Sequence, residues 1–418
     1  MFKRLASTDS SAQAANDSRK GNTTGGVLLI AGSCIGVGML SLPVLTSFSG
    51  FLPAFCIFSI SWIFMTVTAL LFLEANLWFS SDNNLFSLAD KTLGKPLKLF
   101  AGVNFIFLFY CLMVAYVCKG GDLVQLAFDK SSLIIWPKLS GRILITISSF
   151  ILVYFGTWIV DRFNRVIMFS LFITYIYLLL TGIDLADVKL LQRSDWSYSL
   201  FIIPFLITSF GFHNMIPTIR DYLDSDQKKI KATIYLGGLI VFFVYLLWIV
   251  KIHSTIPFEG EISLRSSFNK GEISSESLAA ILNSPNITLF VNFFSFFAII
   301  TSFLGQGLSL IDFFSDSFKI PKTPNGRLWL CSVSFFPPLI FSCLFPHIFF
   351  TAIELAGGTS AIILFGVLPT CIVWAGRNKF PQTNRLVKGG KCTLVLVLLF
   401  SFLVLIYEIV KIFNKLIN

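Results

Sequence analysis

The chain has 418 residues, 55% of them hydrophobic and only 13% charged, with a mean hydropathy of +0.80. Ordinary soluble domains carry about 25% charged residues, so this much apolar surface cannot be hidden in one water-soluble core. The composition specifies an all-α, multi-spanning membrane protein. The net charge of +10 does not indicate nucleic acid, because the basic residues gather in the connections between apolar runs.

Residues 1–22 are rich in Ser, Ala and Asn and hold Lys3, Arg4, Arg19 and Lys20. They read as a disordered cytoplasmic tail, and their polarity leaves no cleavable signal peptide. Apolar runs follow at 23–48, 51–78, 97–118, 141–160, 164–182, 199–222, 230–252, 289–315, 327–345, 349–375 and 392–411. Each approaches the ~20 residues that cross a ~30 Å hydrocarbon layer, which gives eleven transmembrane helices. Lys and Arg set the orientation. With the N-terminus cytoplasmic, about 21 of the 32 Lys and Arg fall on the inner side, although Lys130, Lys138 and Arg142 run against the bias. A short inner helix is expected at SLADKTLG in 80–96, a short outer one at SSESLAAIL in 253–288, and a kink at Pro337-Pro338.

Span one reads IAGSCIGVGMLSLP from Ile30 to Pro43. Gly32, Gly36 and Gly38 weaken helical continuity, because glycine adds backbone freedom and no packing. An unwound backbone in hydrocarbon survives only when buried in protein or lining a wet cavity. Taken alone, the stretch is either a close-packing face or a broken helix that holds a ligand. Span six has a second interruption, Ser209-Phe210-Gly211-Phe212-His213-Asn214, followed by Pro217. Proline is tolerated in a first helical turn, and Asn214 is placed to cap the new helix. Two interrupted spans, one opening each half of a ten-helix core, fit an inverted-repeat transporter. The repeats would be 23–182 and 199–375, with a peripheral eleventh span and tail at 392–418. Free N–H groups and free C=O groups at such breaks suit a carboxylate and a cation respectively. A zwitterionic amino acid brings both.

The motifs AGSCIGVGMLSLP, TALLFLEAN, SFGFHNMIP and ITSFLGQGLSLIDFF give the chain its family likeness. It resembles the bacterial aromatic amino acid permeases, the tyrosine- and tryptophan-specific transporters of the amino acid–polyamine–organocation superfamily. The resemblance implies a leucine-transporter-type five-plus-five inverted repeat with discontinuous spans one and six. It also implies secondary active import, by proton symport and alternating access, across the bacterial inner membrane. Tyrosine is the expected substrate. Tryptophan, or a broader and sodium-coupled carrier, is the alternative. The substrate would meet Gly32, Ser33, Gly36, Gly38, Phe210, Gly211, Phe212 and His213, with Tyr110 of span three near its carboxylate. Cys34 and Val37 stand where Thr and Ala are expected, which leaves the side chain of Cys34 unplaced.

Thr301 and Ser302 of span eight, with Gln306 one turn on, read either as helix glue or as a cation site facing span one. His213 reads as a proton carrier or as a neutral pocket residue. Glu354 is a further candidate for ion coupling, Glu74 reads as a packing or gating carboxylate, and Glu408 lies on the peripheral helix. Phe210 and Phe212 would stack on an aromatic ring. The eight Cys show no CxxC spacing, so no metal or other cofactor is expected. An intramembrane enzyme would need clustered catalytic groups, and the three His are far apart in sequence. A channel would need a ring of charges.

Overall fold

The computed structural model describes residues 21–79, 84–131, 137, 139–380 and 385–417. The expected disordered tail at 1–22 lies, but for its last two residues, outside them. The described chain is helical, and the only bridge between extended segments within it joins Gly50 to Ser194.

Span one is a pair, α1 (Thr23–Cys34) and α2 (Val37–Thr46), bent by 59°. Then come α3 (Phe51–Asn76), the short α4 (Leu85–Leu93), α5 (Lys95–Ser131), α6 (Ser140–Tyr154) and α7 (Thr157–Leu180). Span six is α8 (Ser199–Ser209), a 3-10 turn (His213–Met215) and α9 (Ile216–Tyr222). It is followed by α10 (Gln227–Thr255), the short α11 (Leu264–Lys270) and α12 (Ser274–Leu282), α13 (Pro285–Phe318) and α14 (Pro324–Leu344). Span ten comprises α15 (Phe349–Leu355), a 12-residue π-helical stretch (Ala356–Val367) and α16 (Leu368–Lys379), and α17 (Gly390–Ile417) ends the chain.

Among the described residues nine helices are long and apolar enough to cross a membrane, or ten with the bent pair, against the eleven expected. The remaining one, α6, has 15 residues and covers about 22 Å at 1.5 Å per residue. The short helices α4 and α12 form where SLADKTLG and SSESLAAIL predict them. Asn84 caps α4 by accepting from Ser87 N. Helix α14 runs as one element through Pro337 and Pro338.

The boundary between spans four and five departs from the expected 160–164. It falls at Phe155-Gly156, where Gly156 has φ +110°. Asp161 and Arg162 suggested a connection, but they lie in the first turns of α7. There Asp161 pairs with Arg165 at 2.7 Å and Arg162 lies over the Trp158 ring. Helix α5 also outruns its expected end by more than a dozen residues, because Lys119 and Asp122 find partners.

Those partners tie the helix ends together. Lys119 Nζ lies 2.7 Å from Glu276 Oε2 and donates to Gly271 O at 3.1 Å. Arg142 holds Asp122 at 3.3 Å and donates to the Ser342 and Pro346 carbonyls. On the opposite face, where α1 begins, Arg377 makes a two-pronged contact with Glu74 at 2.7 and 3.0 Å. The same carboxylate accepts from Leu386 N at 2.9 Å. Arg220 donates to Asn76 and to Phe79 O. Glu74 and Arg377 are 2% and 10% exposed, so this pair is desolvated, and removing one partner strands the other.

Glu74→Ala is therefore expected to destabilise the protein by about 3–5 kcal/mol, read as a lower thermal unfolding midpoint in detergent. Glu74→Leu combined with Arg377→Met should recover most of that loss, and a double variant no better than the single one would refute the assignment.

Candidate functional site

Helix α1 ends at Cys34, where Ile35 N still donates to Ala31 O at 2.9 Å. Ile35 then turns to extended backbone, and α2 starts at Val37. Helix α8 ends at Ser209, after which Phe210 N donates to Leu206 O and Gly211 N to Thr208 O. Asn214 does not cap the next helix as expected. It lies within the 3-10 turn, and α9 follows Met215 with Pro217 in its first turn. The Asn214 Oδ1 is left buried without a partner.

The two helix ends meet at one side chain. The Tyr245 hydroxyl of α10 lies 2.5 Å from Cys34 O and 3.1 Å from Ser209 O. It therefore serves a carbonyl at the C-terminal end of each broken helix, where four such groups lack intrahelical donors. Tyr245 is 1% exposed, so no bulk water competes for this bond.

Two glycines make the approach possible. A Cβ on Gly36 would overlap the Ser302 hydroxyl of α13, and one on Gly38 would lie 2.6 Å from Ser209 Oγ. Between these elements is a narrow cavity of about 40 Å³, measured at the centre of a water molecule. That is room for on the order of three waters. Spans one and six contribute Ser33, Cys34, Gly36 and Gly38, and Thr208, Ser209, Gly211 and Asn214. Span three brings Leu108, Phe109, Leu112 and Tyr116, α13 brings Ser302 and Gln306, and span ten brings Ile353, Ala361 and Phe365. Tyr116 stands within hydrogen-bond reach of Ser302 and Gln306. Gln306 Oε1, like Asn214 Oδ1, is buried without a partner. The cavity thus presents two unmatched acceptor oxygens beside aromatic walls.

Of the residues singled out in the sequence, Ser33, Gly36, Gly38, Gly211 and Ser302 line this cavity, and Cys34 joins them. Gly32 does not; it faces Met168 of α7. Tyr110 donates to Val333 O at 2.7 Å and points toward α14. Phe210 packs between Phe58 and Tyr245, at 5.0 and 5.7 Å between ring centroids. Phe212 stacks on His213, which lies behind the cavity wall, stacked on Phe365 at 4.6 Å. His213 Nε2 is 2.9 Å from Thr68 Oγ1, and Nδ1 has no partner. Thr301 Oγ1 donates to Ala298 O at 3.1 Å. Glu354 pairs with Lys411 of α17, outside the cavity. Among the described residues no group of three or more His, Cys, Asp or Glu could hold a metal ion.

Sequence reasoning missed Tyr116, Phe109, Thr208 and Phe365. The full length of α5 could have pointed to Tyr116, since extending the helix to Ser131 moves its midpoint toward Tyr116 and away from Tyr110. Gly357-Gly358 is the only sequence signal near the π-helical stretch that carries Phe365.

Comparison with known proteins adds the relationship. The sequence pattern of the tryptophan/tyrosine permease family matches residues 19–408. The chain is 30% identical over 406 residues to a tryptophan-specific transport protein of Haemophilus influenzae, covering 92% of this chain and 95% of that one. It is 31% identical over 401 residues to a tryptophan-specific transport protein of Pseudomonas aeruginosa, covering 94% and 95%. Against the tyrosine-specific transport system 1 of Haemophilus influenzae the identity is 32% over 392 residues, covering 91% and 95%.

Gly36→Ala is expected to abolish substrate uptake, because its methyl meets Ser302, and Gly36→Ala with Ser302→Gly should regain part of it. Tyr245→Phe keeps the ring packing but leaves two buried carbonyls short of a donor, at about 1–3 kcal/mol each. Its uptake should fall although the protein still reaches the membrane. Wild-type uptake by Tyr245→Phe would remove the hydroxyl from the site.

Proposed function

The chain belongs to the tryptophan/tyrosine permease family, and on that premise we propose that it imports tyrosine together with protons by alternating access. It is a multi-spanning membrane transport protein, not an enzyme. The observation that carries the substrate reading is the convergence of two interrupted helices on one cavity.

In this reading the substrate carboxylate takes the free N–H groups at the start of α2. Helix N-termini are suited to anions. The ammonium takes the carbonyl ends of α1 and α8, and the ring lies among Phe109, Tyr116 and Phe365. Gln306 Oε1 and Asn214 Oδ1 then accept from the ring's polar atom. A phenol O–H or an indole N–H can satisfy such an acceptor, whereas a phenyl ring leaves it unpaired. Sites built to hydrogen-bond a polar substrate atom discriminate strongly against analogues that lack it. This favours tyrosine, with tryptophan as the second ring, over phenylalanine. The relatives named for tyrosine and for tryptophan agree with that pair.

The cavity is smaller than the ring it would hold, so binding requires it to widen. Rocking of one five-helix repeat against the other, 23–182 against 199–375, would supply that movement. We place the N-terminus in the cytoplasm and the protein in a bacterial inner membrane, on the distribution of Lys and Arg. The sodium-coupled alternative would use Ser302 and the backbone around Gly36. His213 has no carboxylate among its described contacts, and we assign it to holding Phe365 in place.

The test is uptake of labelled Tyr, Trp, Phe and Leu into proteoliposomes, with proton and sodium gradients imposed separately. Tyrosine should accumulate under a proton gradient alone, and phenylalanine roughly tenfold less well. Accumulation that needs sodium moves the protein to the alternative. No gradient-driven uptake of either polar aromatic ends the reading.

A further inference from the structure

Helix α17 is the peripheral one, and its outer surface is ordinary lipid-facing chain: Leu396, Leu399, Phe402, Ile406 and Ile409 are all exposed. Its inner surface holds an exception. Glu408 is 1% exposed and forms no ion pair among the described residues, and its Oε1 has no hydrogen-bond partner. Well-packed apolar residues in place of buried ionic ones are often neutral or stabilising, so packing alone gives no reason for a carboxyl here.

The carboxyl is seated on Gly358 of the π-helical stretch. A Cβ at Gly358 would lie 2.6 Å from Glu408 Cδ and 2.9 Å from Oε1. The absence of a side chain at Gly358 is what admits the acid. Helix α17 packs against the π-helical stretch, α8 and α16, and Phe400 meets Phe64 of α3. Neither the π-helical stretch (AGGTSAIILFGV) nor α8 (SLFIIPFLITS) carries a charged residue. On α16, Arg377 is held by Glu74, and Lys379 donates to Thr92 O. Cys371 is the remaining titratable group there. On α17 itself, Lys411 pairs with Glu354 of α15, and Tyr407 is adjacent. Every cation on these elements is thus committed elsewhere, and an ionised Glu408 would be uncompensated where it sits. A buried group of this kind either neutralises or moves to a partner.

The same stretch of span ten reaches the cavity. Gly357 packs against Pro204 O and the Thr208 hydroxyl of α8, and Ser360 donates to Asn104 Oδ1 of α5. Ala361 and Phe365, one and two turns beyond Gly358, line the cavity. π-helical turns are rare and recur at functional sites. Here one turn connects a buried acid on the outside of the bundle to the wall of the cavity.

We propose that Glu408 is the binding site of the co-transported proton, and that Gly358 and the π-helical stretch transmit its occupancy to the cavity. The proposal rests on the proton-symport reading above. Water on the uptake side supplies the proton, an O–H bond forms on the Glu408 carboxylate, and the neutral acid packs on Gly358. After the bundle rocks, that O–H bond breaks and the proton passes to water on the other side. The carboxylate then leaves Gly358 for water or for Lys411. One proton crosses per cycle, and nothing is oxidised or reduced.

The test uses the full chain in proteoliposomes. Two quantities are measured on wild type and Glu408→Gln: tyrosine counterflow at equal pH, and accumulation driven by a pH gradient. In the variant, counterflow should persist while accumulation falls to the level set by equilibration, and the pH dependence of uptake should flatten. Accumulation retained in Glu408→Gln overturns the proposal, as does its loss in His213→Gln alone. If wild type itself fails to accumulate under the pH gradient, the symport reading has failed instead. Should Glu408→Gln not fold, Glu408→Asp decides the matter. It should still accumulate tyrosine, with a displaced pH dependence, and a pH profile identical to wild type would overturn the assignment.

Discussion

One hydroxyl holds the centre of this protein together. Tyr245 sits between Cys34 O and Ser209 O, the ends of two helices that stop in the middle of the bundle. Each end carries the negative pole of a helix dipole, and like poles brought together in a medium of low dielectric repel. A single O–H shared by both carbonyls offsets that repulsion and fixes where the two breaks meet. One proton cannot satisfy two acceptors fully. The geometry therefore leaves residual negative potential at the point where a transported ammonium group would be received.

The close approach of helices around that point depends on what is missing from the chain. Gly36 lets α2 meet Ser302, and Gly38 lets it meet Ser209. Gly357 and Gly358 do the same for span ten, one against α8 and the other against Glu408. Without a hydrophobic driving force between helices in lipid, small residues are what permit backbones to pack closely. The glycines of span one thus serve both readings that the sequence left open. They pack tightly and they line a cavity, because the cavity is the gap that the tight packing encloses.

Much of the fold was legible because apolar run length and interruption are strong signals in lipid. Both broken spans and the two short helices α4 and α12 appear where the residues place them. Legibility ended where depth and rotation about a helix axis mattered. Phe210 looked like a stacking residue, yet its ring turns away to Phe58. Tyr110 was chosen at the midpoint of an expected span, but α5 is longer because Lys119 and Asp122 acquire partners from distant loops and helices. Asn214 had the chemistry of a cap, but the 3-10 turn moved the helix start beyond it. Asp161 and Arg162 looked like a loop, and an i,i+4 pair keeps them helical. In each case a contact far away in sequence overrode a local preference.

The charged residues at the two faces give the last step. Glu74 with Arg377, and Arg220 with Asn76, close the face where α1 begins, while Lys119 with Glu276 and Arg142 with Asp122 close the other. Buried pairs of this kind add little net stability, since desolvation offsets attraction, but breaking one by separation is costly. With both sets formed, the cavity between them is held at its smallest. A transporter that opens to one face must release one set while keeping the other, so the two sets are better understood as selecting between states than as holding the fold. The substrate then has a defined energetic task. Its carboxylate and ammonium groups, once bound at the helix breaks, must favour a closed cavity enough to let the pairs reform on the side it entered from.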